Sequence, residues 1–256
     1  MRKTQRPDFT RAVQWLSKHM TTLTQACLVL CLALISVAYI RIFNPTASES
    51  AFSPASRPLP IYNVDTQEKI AISFDAAWGE EKTDEILQIL KDRDIETTFF
   101  LVGYWVDKYP DRVRQIAEAG HEIGNHSYDH RRLTKLNEAG VRSQVSRCEE
   151  ALASLGEYRP HLLRPPEGAM NATVRRVARA EGYRLILWDI DTRDWAHTPP
   201  DTITRNVLES VQAGDIILMH DYIGHDSPTP AALRRLIPAL LERGYRFVTV
   251  SRLIDG

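Results

Sequence analysis

From residue 69 to the C-terminus, the amino-acid sequence predicts an α/β fold with a mostly parallel sheet. Short apolar runs alternate with amphipathic stretches, a pattern typical of parallel strands joined by helices. Glycines stand between the helical patterns and the following strands, at Gly120, Gly182, Gly214 and Gly244. About seven such units follow one another in a single domain, which favours a (β/α) barrel over an open sheet.

The strand-like runs are residues 69–75, 96–103, 121–127, 161–166, 183–191, 214–220 and 245–251. The amphipathic stretches between them are residues 82–93, 111–119, 138–155, 173–181, 202–212 and 231–243. Ile86, Leu87 and Leu90 show the helical spacing of the first stretch, and Thr83 is its predicted N-cap.

The N-terminal part predicts a membrane anchor. Thr21 to Ile40 carries no charge and is long enough to cross a bilayer, where a helix needs roughly 20 residues. Five cations precede it and only Arg41 follows closely, which predicts a cytoplasmic N-terminus. We therefore expect a basic tail at 1–20, a transmembrane anchor at 21–43, a Pro/Ser-rich linker at 44–68 and an extracytoplasmic domain at 69–256. The alternative is a cleaved signal peptide and a secreted domain.

The charge balance bears on the partners of the protein. The formal net charge is −1, so no global field attracts nucleic acid, and no nucleic-acid partner is expected. The membrane is an expected partner through the N-terminal helix.

Polar residues stand where the strand runs stop: Asp75, His126, His130, Arg164, Asp191, Asp194 and His220. Active sites of parallel α/β folds gather at the carboxyl ends of the strands, so this coincidence indicates an enzyme.

The motif HSYDH supplies His126 and His130, which can converge on zinc or a similar metal if the chain turns. Asp75 is either a metal ligand or a general base acting on a metal-bound water. His220 is a core residue, a third ligand, or a general acid held charged by a carboxylate such as Asp194. Arg164 can hold Asp75 ionised.

Two tryptophans near these motifs have two interpretations. Trp78 and Trp195 could form apolar walls for a sugar, or they could be ordinary core residues.

The segments SFDAAWG, HSYDH, RPPEG, DTRDW and ILMH, in this order and at these spacings, resemble the five motifs of the polysaccharide deacetylase family, the NodB-like domains of carbohydrate esterase family 4 (CE4). The resemblance spans about residues 69 to 250. The membrane-anchored layout and FDAAWG are similar to the sporulation-associated and cell-wall deacetylases of spore-forming bacteria.

This resemblance implies a distorted, incomplete (β/α) barrel that binds a divalent metal, zinc or alternatively Co²⁺ or Ni²⁺. It implies release of acetate from N-acetylglucosamine-type residues of a glycan polymer. By position, Asp75 matches the catalytic base, His126 and His130 match metal ligands, and Arg164 matches the residue that positions the base. His220 matches the acid, and Asp194 the residue that tunes it. Trp195, Leu218 and Pro166 match the substrate-binding wall.

The chain departs from the family pattern at two positions. The family's second acid of the first motif, a metal ligand, is replaced by Ala76. Glu80 or Glu81, Asp75 itself, or a water could complete the metal shell, with Glu81 or water favoured; otherwise the metal is weakly bound. The third motif carries Glu167 in place of an aromatic residue, which predicts an altered substrate preference.

The sequence thus favours a metal-dependent N-deacetylase of cell-wall glycan. Two alternatives stay open: a glycan-binding protein with a weakened or inactive site, and an amidohydrolase of another N-acyl or cyclic amide substrate.

Overall fold

The computed structural model describes residues 10, 13–15, 17–18, 60–156 and 158–256. The chain divides into two units, residues 1–57 and 58–256. The predicted anchor at 21–43 and the linker up to residue 59 lie outside the described residues. Among the described residues, no helix has the length and apolar character that crossing a membrane requires.

The second unit alternates strands and helices as the sequence predicts. Its strands are β1 (Lys69–Ala76), β2 (Thr98–Leu101), β3 (Glu122–Asn125), β4 (Leu162–Leu163), β5 (Arg184–Leu185), β6 (Ile190–Asp191), β7 (Ile216–His220) and β8 (Arg246–Phe247). Its helices are α1 (Thr83–Lys91), α2 (Gly103–Lys108), α3 (Pro110–Glu118), α4 (Glu138–Ala153), α5 (Ala172–Ala180), α6 (Pro200–Ser210), α7 (Thr229–Glu242) and α8 (Val250–Asp255).

The strands form one curved parallel sheet in the order β5-β4-β3-β2-β1-β7-β6, and β8 pairs with the first two residues of β1. The order begins at β5 and ends at β6, so the barrel is an incomplete one. The segment before β1 lies near this gap and pairs with both parts of the sheet. Ile61 pairs with Ile186, which follows β5, and Asn63 pairs with Asp215, which precedes β7. The sequence assigned residues 61–64 to the linker, whereas the structure gives them a place beside the sheet.

Two differences from the predicted elements have simple physical causes. The apolar run 183–191 forms two short strands, β5 and β6, because the chain leaves one edge of the sheet and joins the other within it. Thr83 does not cap α1: the N-cap position is Lys82, and the Thr83 hydroxyl instead donates to Asp221 Oδ2 at 2.9 Å.

The glycines after helices behave as predicted at Gly120, Gly182 and Gly244, which follow α3, α5 and α7 with positive φ. Gly214 has another reason to be glycine. A Cβ there would lie 1.7 Å from the carbonyl oxygen of Val64, so a side chain would prevent the segment before β1 from pairing.

Alternate side chains of β1 pack into two different apolar clusters, one on each face of the sheet. Ile70, Ile72, Phe74 and Ala76 face the helices and belong to the main apolar cluster. Ala71 on the opposite face joins an inner cluster that includes Val250 and Leu253 of α8. Ser73 and Asp75 follow Ala71 at two-residue spacing, so β1 carries its polar side chains into the interior of the barrel.

Candidate active site

Asp75 and His220 lie side by side at the carboxyl ends of neighbouring strands. They are direct register partners of β1 and β7, so their side chains point to the same face of the sheet. The sequence placed both at strand ends, and the parallel pairing of β1 with β7 brings them together.

Asp75 is 5% exposed and is held by the fully buried Arg164. Arg164 Nη1 donates to Asp75 Oδ1 at 2.8 Å, and Nη2 donates to Ser73 Oγ at 2.8 Å. The guanidinium also stacks over the ring of Phe100 at 4.0 Å. Burial opposes ionisation of Asp75, but the charge and hydrogen bond of Arg164 and the charge of His220 outweigh it and hold its pKa below the usual value.

His126 has one ring nitrogen bound and the other free. Its Nδ1 lies 2.7 Å from the backbone oxygen of Arg164, which fixes Nδ1 as the donor. Burial lowers the pKa of His126, so the ring is neutral and Nε2 is an unprotonated acceptor. Nε2 is buried without a hydrogen-bond partner and faces Asp75 Oδ2 at 3.3 Å. Two acceptors at this separation repel each other unless a proton or a metal cation lies between or beside them.

His130 supplies the second imidazole. Its ring centre lies 5.0 Å from that of His126, and its backbone has a left-handed φ of 59°. Burial, together with the neighbouring His126, lowers its pKa to about 4, so this ring is also neutral at physiological pH. Neutral imidazoles and a carboxylate oxygen are zinc-ligand types, so the chemistry of these side chains suits a divalent metal, although their arrangement does not form a complete site.

The donor set is nevertheless short of one ligand. Ala76 has no donor atom and packs in the helix-facing core. Glu81, the predicted substitute, is exposed, accepts a hydrogen bond from the Glu80 amide at 3.0 Å and is not a cavity-lining residue. Within the described part of the chain, no three His, Cys, Asp or Glu side chains form a ready metal site.

Asp194 is fully buried behind His220 and accepts four hydrogen bonds. Its Oδ1 lies 2.8 Å from His220 Nδ1 and accepts from the Trp195 amide at 2.8 Å. Its Oδ2 accepts from the His220 amide at 2.7 Å and from Thr229 Oγ1 at 2.8 Å. Burial acts to lower the pKa of His220, but the bond and charge of Asp194 outweigh it and raise that pKa above the usual value.

A cavity of about 640 Å³ opens above these residues. Of the predicted site residues, Asp75, His130, Asp191, Trp195, Leu218 and His220 line it. Arg164, Asp194 and His126 lie behind this lining, and Pro166 is buried next to the lining residue Glu167.

Glu167 also lines the cavity, with a left-handed φ of 59°, and pairs with Arg132 Nε at 2.7 Å. A carboxylate therefore occupies the wall where the family pattern has an aromatic ring.

Several supporting residues were missed by sequence reasoning. Ser73 shares the inward face of β1 with Asp75, so the two-residue period contained a signal for it. Thr229 reaches Asp194 from α7, and Trp188 and Tyr222 line the cavity. These three depend on contacts between distant parts of the chain, for which no local pattern exists.

Comparison with known proteins agrees with this geometry. Residues 63–186 match the family model described as polysaccharide deacetylase. A peptidoglycan-N-acetylglucosamine deacetylase of Bacillus cereus is 39% identical over 188 residues, which cover 73% of this chain and 68% of the relative.

Solved structures share the fold. The Bc1960 peptidoglycan N-acetylglucosamine deacetylase has a TM-score of 0.73 and 36% identity, covering 76% of this chain and 91% of the other. BA3943 of Bacillus anthracis, described as a CE4 family pseudoenzyme, has a TM-score of 0.74 and 32% identity, covering 77% and 69%. Both an enzyme and a pseudoenzyme are therefore similar to this chain.

Proposed function

The chain belongs to the polysaccharide deacetylase family, and we propose that it removes the N-acetyl group from N-acetylglucosamine-type residues of cell-wall glycan, releasing acetate. The observation that carries the proposal is the pairing of Asp75 with His220. Each lies at the end of its strand beside the cavity, and each is held by its own buried partner. The Bacillus cereus relative, named a peptidoglycan-N-acetylglucosamine deacetylase, supports the choice of substrate.

A divalent metal, most simply zinc, is part of this proposal. His126 and His130 would hold it, and Asp75 Oδ2 faces the same free nitrogen of His126. When bound, such a metal supplies Lewis acidity and lowers the pKa of a coordinated water.

Asp75 is the proposed general base. Its lowered pKa keeps it ionised at neutral pH, and the bond from Arg164 engages Oδ1 while Oδ2 stays available. Arg164 is accordingly a positioning residue, oriented in turn by Ser73 and by the Leu187 carbonyl at 3.2 Å.

His220 is the proposed general acid. Its Nδ1 proton is held by Asp194, so Nε2 is the nitrogen available to protonate the departing amine. Because the pKa of His220 is raised, the ring also carries a proton on Nε2 near neutral pH, and this is the proton that it donates. Leu218 and Trp195, with Pro166 beside them, would form the wall against which the acetylated sugar lies.

A second candidate function is glycan binding with weak or no catalysis. The missing donor at Ala76 and the likeness to the BA3943 pseudoenzyme favour it. The two functions differ in a single measurable property, which is turnover with added metal.

The test is acetate release by the purified full-length chain from peptidoglycan and from N-acetylglucosamine oligomers, with and without zinc. Zinc-dependent release that is abolished by Asp75→Asn supports the deacetylase. Folded protein that binds the glycan but releases no acetate supports the binding function. Turnover unchanged in Asp75→Asn would remove the general-base role.

For its location, we propose a single-pass membrane protein with a cytoplasmic N-terminus and an extracytoplasmic catalytic domain. The uncharged stretch from Thr21 and the cations before it support this. Protease added to intact cells should digest the domain, and release of the domain into the medium would support signal cleavage instead.

A further inference from the structure

The turn that carries both imidazoles, residues 126–130, has an unusual backbone. Ser127 and His130 both have left-handed φ values, of 67° and 59°. A residue other than glycine adopts this conformation at a cost in free energy, so the surrounding structure must hold it in place. Whatever holds this turn therefore decides where the His130 ring lies.

The carbonyl groups of the turn are bound by the first residues of α2. The Gly103 amide donates to the Ser127 oxygen at 2.9 Å, and the Tyr104 amide donates to the Tyr128 oxygen at 2.7 Å. A Cβ on Gly103 would lie 2.6 Å from the Tyr128 ring and 2.9 Å from the Cα of Cys148 in α4. The start of α2 is therefore packed closely against both the turn and α4.

The amide groups of the turn are bound by side-chain oxygens. The Ser127 amide donates to Asn125 Oδ1 at 2.8 Å. Gln144 Oε1, from α4, accepts from the Tyr128 amide at 3.2 Å and from the Asp129 amide at 3.1 Å. Neither of these two amides has another acceptor among the described residues. Gln144 alone therefore holds the half of the turn that leads to the second imidazole.

Gln144 does not fit its position on α4 as a packing residue. The side chain is 5% exposed. Ordering a glutamine costs rotamer freedom, and burying its amide without hydrogen bonds costs more. The other residues that α4 buries are apolar side chains and one thiol: Val141, Val145, Cys148, Ala151 and Leu152. The two bonds to the turn, and not apolar packing, explain an amide on this face.

We propose that Gln144 is a positioning residue for metal binding, which fixes the turn in advance so that the His130 ring is already directed beside the ring of His126. Partners that orient metal-ligating side chains typically account for about 10–100-fold in metal affinity. Gln144 acts on the backbone and not on the ring itself, so we expect the lower end of that range. Because Ala76 leaves the donor set one ligand short, the order of the two imidazoles matters more here. This inference rests on the metal binding of the proposed function and needs no turnover.

The first experiment measures the Kd of zinc by calorimetry with the purified full-length chain. Gln144→Met keeps the length of the side chain and removes the acceptor oxygen. It should bind zinc about tenfold more weakly than the parent, a change of ~1.4 kcal/mol.

Val141→Ala is the matched control. Val141 is fully buried on the same face of α4 and packs in the apolar cluster that contains Leu163 and Val174. Its truncation leaves a cavity and destabilises the fold, but it removes no bond to the turn. Val141→Ala should bind zinc within about twofold of the parent, which separates positioning from a general loss of stability.

The second experiment follows hydrogen exchange of the Tyr128 and Asp129 amides by NMR, without metal. Both amides should be protected in the parent and should exchange at least about tenfold faster in Gln144→Met. In Val141→Ala they should exchange as in the parent. A parent in which either amide exchanges like an exposed one would overturn the inference, whether or not the variant folds.

Equal zinc affinity in Gln144→Met and the parent would also overturn the inference, as would a parent that binds no zinc. Acetate release, measured on the same samples, separates the inference from the proposed function. Zinc affinity that falls in Gln144→Met, in a protein that releases no acetate, would support Gln144 and refute the deacetylase. Zinc-dependent acetate release with unchanged zinc affinity in Gln144→Met would do the reverse.

Discussion

Replacing Asp194 with Asn tests whether His220 is held as a charged acid. The carboxylate accepts four hydrogen bonds, and an amide of the same size offers one acceptor and one donor group. The better orientation keeps the amide oxygen at the Oδ1 position, facing His220 Nδ1 and the Trp195 amide. The hydroxyl of Thr229 can then rotate and accept, but the His220 amide faces an N–H group.

The expected loss of stability follows from this count. One buried donor left unpaired costs about 1–3 kcal/mol, and the bonds that remain lose their charge assistance, worth about 1 kcal/mol each. Asp194→Asn should therefore lower the free energy of unfolding by about 3–5 kcal/mol, a large share of a typical total of about 5–15 kcal/mol.

The pH dependence has a definite sign. Because the folded-state pKa of His220 is raised, the ion pair stabilises the fold fully below the unfolded pKa of histidine, and this contribution is lost as pH rises through the folded pKa. The stability difference between parent and Asp194→Asn should thus be larger at about pH 5.5 than at about pH 9.

Urea unfolding at the two pH values measures this difference, and NMR titration follows the His220 ring directly. Thr229→Val is the control, since it removes one donor at a cost of about 1–2 kcal/mol and leaves the carboxylate charged. The reasoning is refuted if Asp194→Asn loses the same stability at both pH values and His220 titrates as in the parent.

Three further substitutions have defined outcomes. Ala76→Asp should destabilise the metal-free protein, because residue 76 is fully buried, and it should tighten zinc binding at least about tenfold. Melting with and without zinc measures the stability, and calorimetry measures the affinity for zinc. An unchanged zinc affinity would contradict the prediction. Arg164→Leu should cost about 3–5 kcal/mol at neutral pH, by leaving Asp75 buried without its partner. The cost should be less at about pH 3, where Asp75 of the variant, buried and no longer beside the guanidinium, takes up a proton. Equal losses in urea unfolding at both pH values would count against the pairing. Asp221→Asn should be more stable than the parent at about pH 8 and no more stable at about pH 4. Burial raises the pKa of Asp221 to about 7, so the parent loses stability as pH rises from about 4, where the unfolded state ionises, to about 7, where the folded state does. A variant less stable at both pH values would show that the buried carboxyl is favourable.

The strand ends were predictable because β1 and β7 are mostly apolar runs, with Asp75 next to the last residue of β1 and His220 as the last residue of β7. Asp75 and His220 therefore stood out in the sequence. The short strands β4, β5, β6 and β8 have two residues each, too few for a period to be seen, and the division of 183–191 into β5 and β6 depends on the edges of the finished sheet.

The partners of the site residues were less predictable than the residues themselves. Arg164 was identified from its motif, but its bond to Ser73 and its stacking on Phe100 require the folded barrel. The predicted substitution of Glu81 for the missing ligand rested on proximity in sequence. In the structure its carboxylate folds back to the Glu80 amide, a local bond that needs no metal.

The presence of Asp75, Arg164 and Asp194 in a chain that has Ala76 is weaker evidence for catalysis than the sequence alone suggests. Each is part of a buried charged network, and removing one partner of a buried ion pair costs about 3–5 kcal/mol. Stability alone would therefore preserve these side chains in a protein that had lost its activity.

His130 is a better indicator of function. It has no comparable structural task in the described contacts, which are the rings of Trp78 and His126. It also occupies a left-handed backbone conformation that a non-glycine residue adopts at a cost of about 1–3 kcal/mol. A histidine at such a position, half-buried and neutral on the cavity wall, agrees with the proposed metal binding better than with a packing role. Zinc affinity should accordingly fall in His130→Asn, whose side chain tolerates the same backbone conformation, while its stability without metal should stay close to that of the parent. If His130→Asn binds zinc as tightly as the parent does, the His130 imidazole is not a zinc ligand, and glycan binding explains the cavity better than catalysis does.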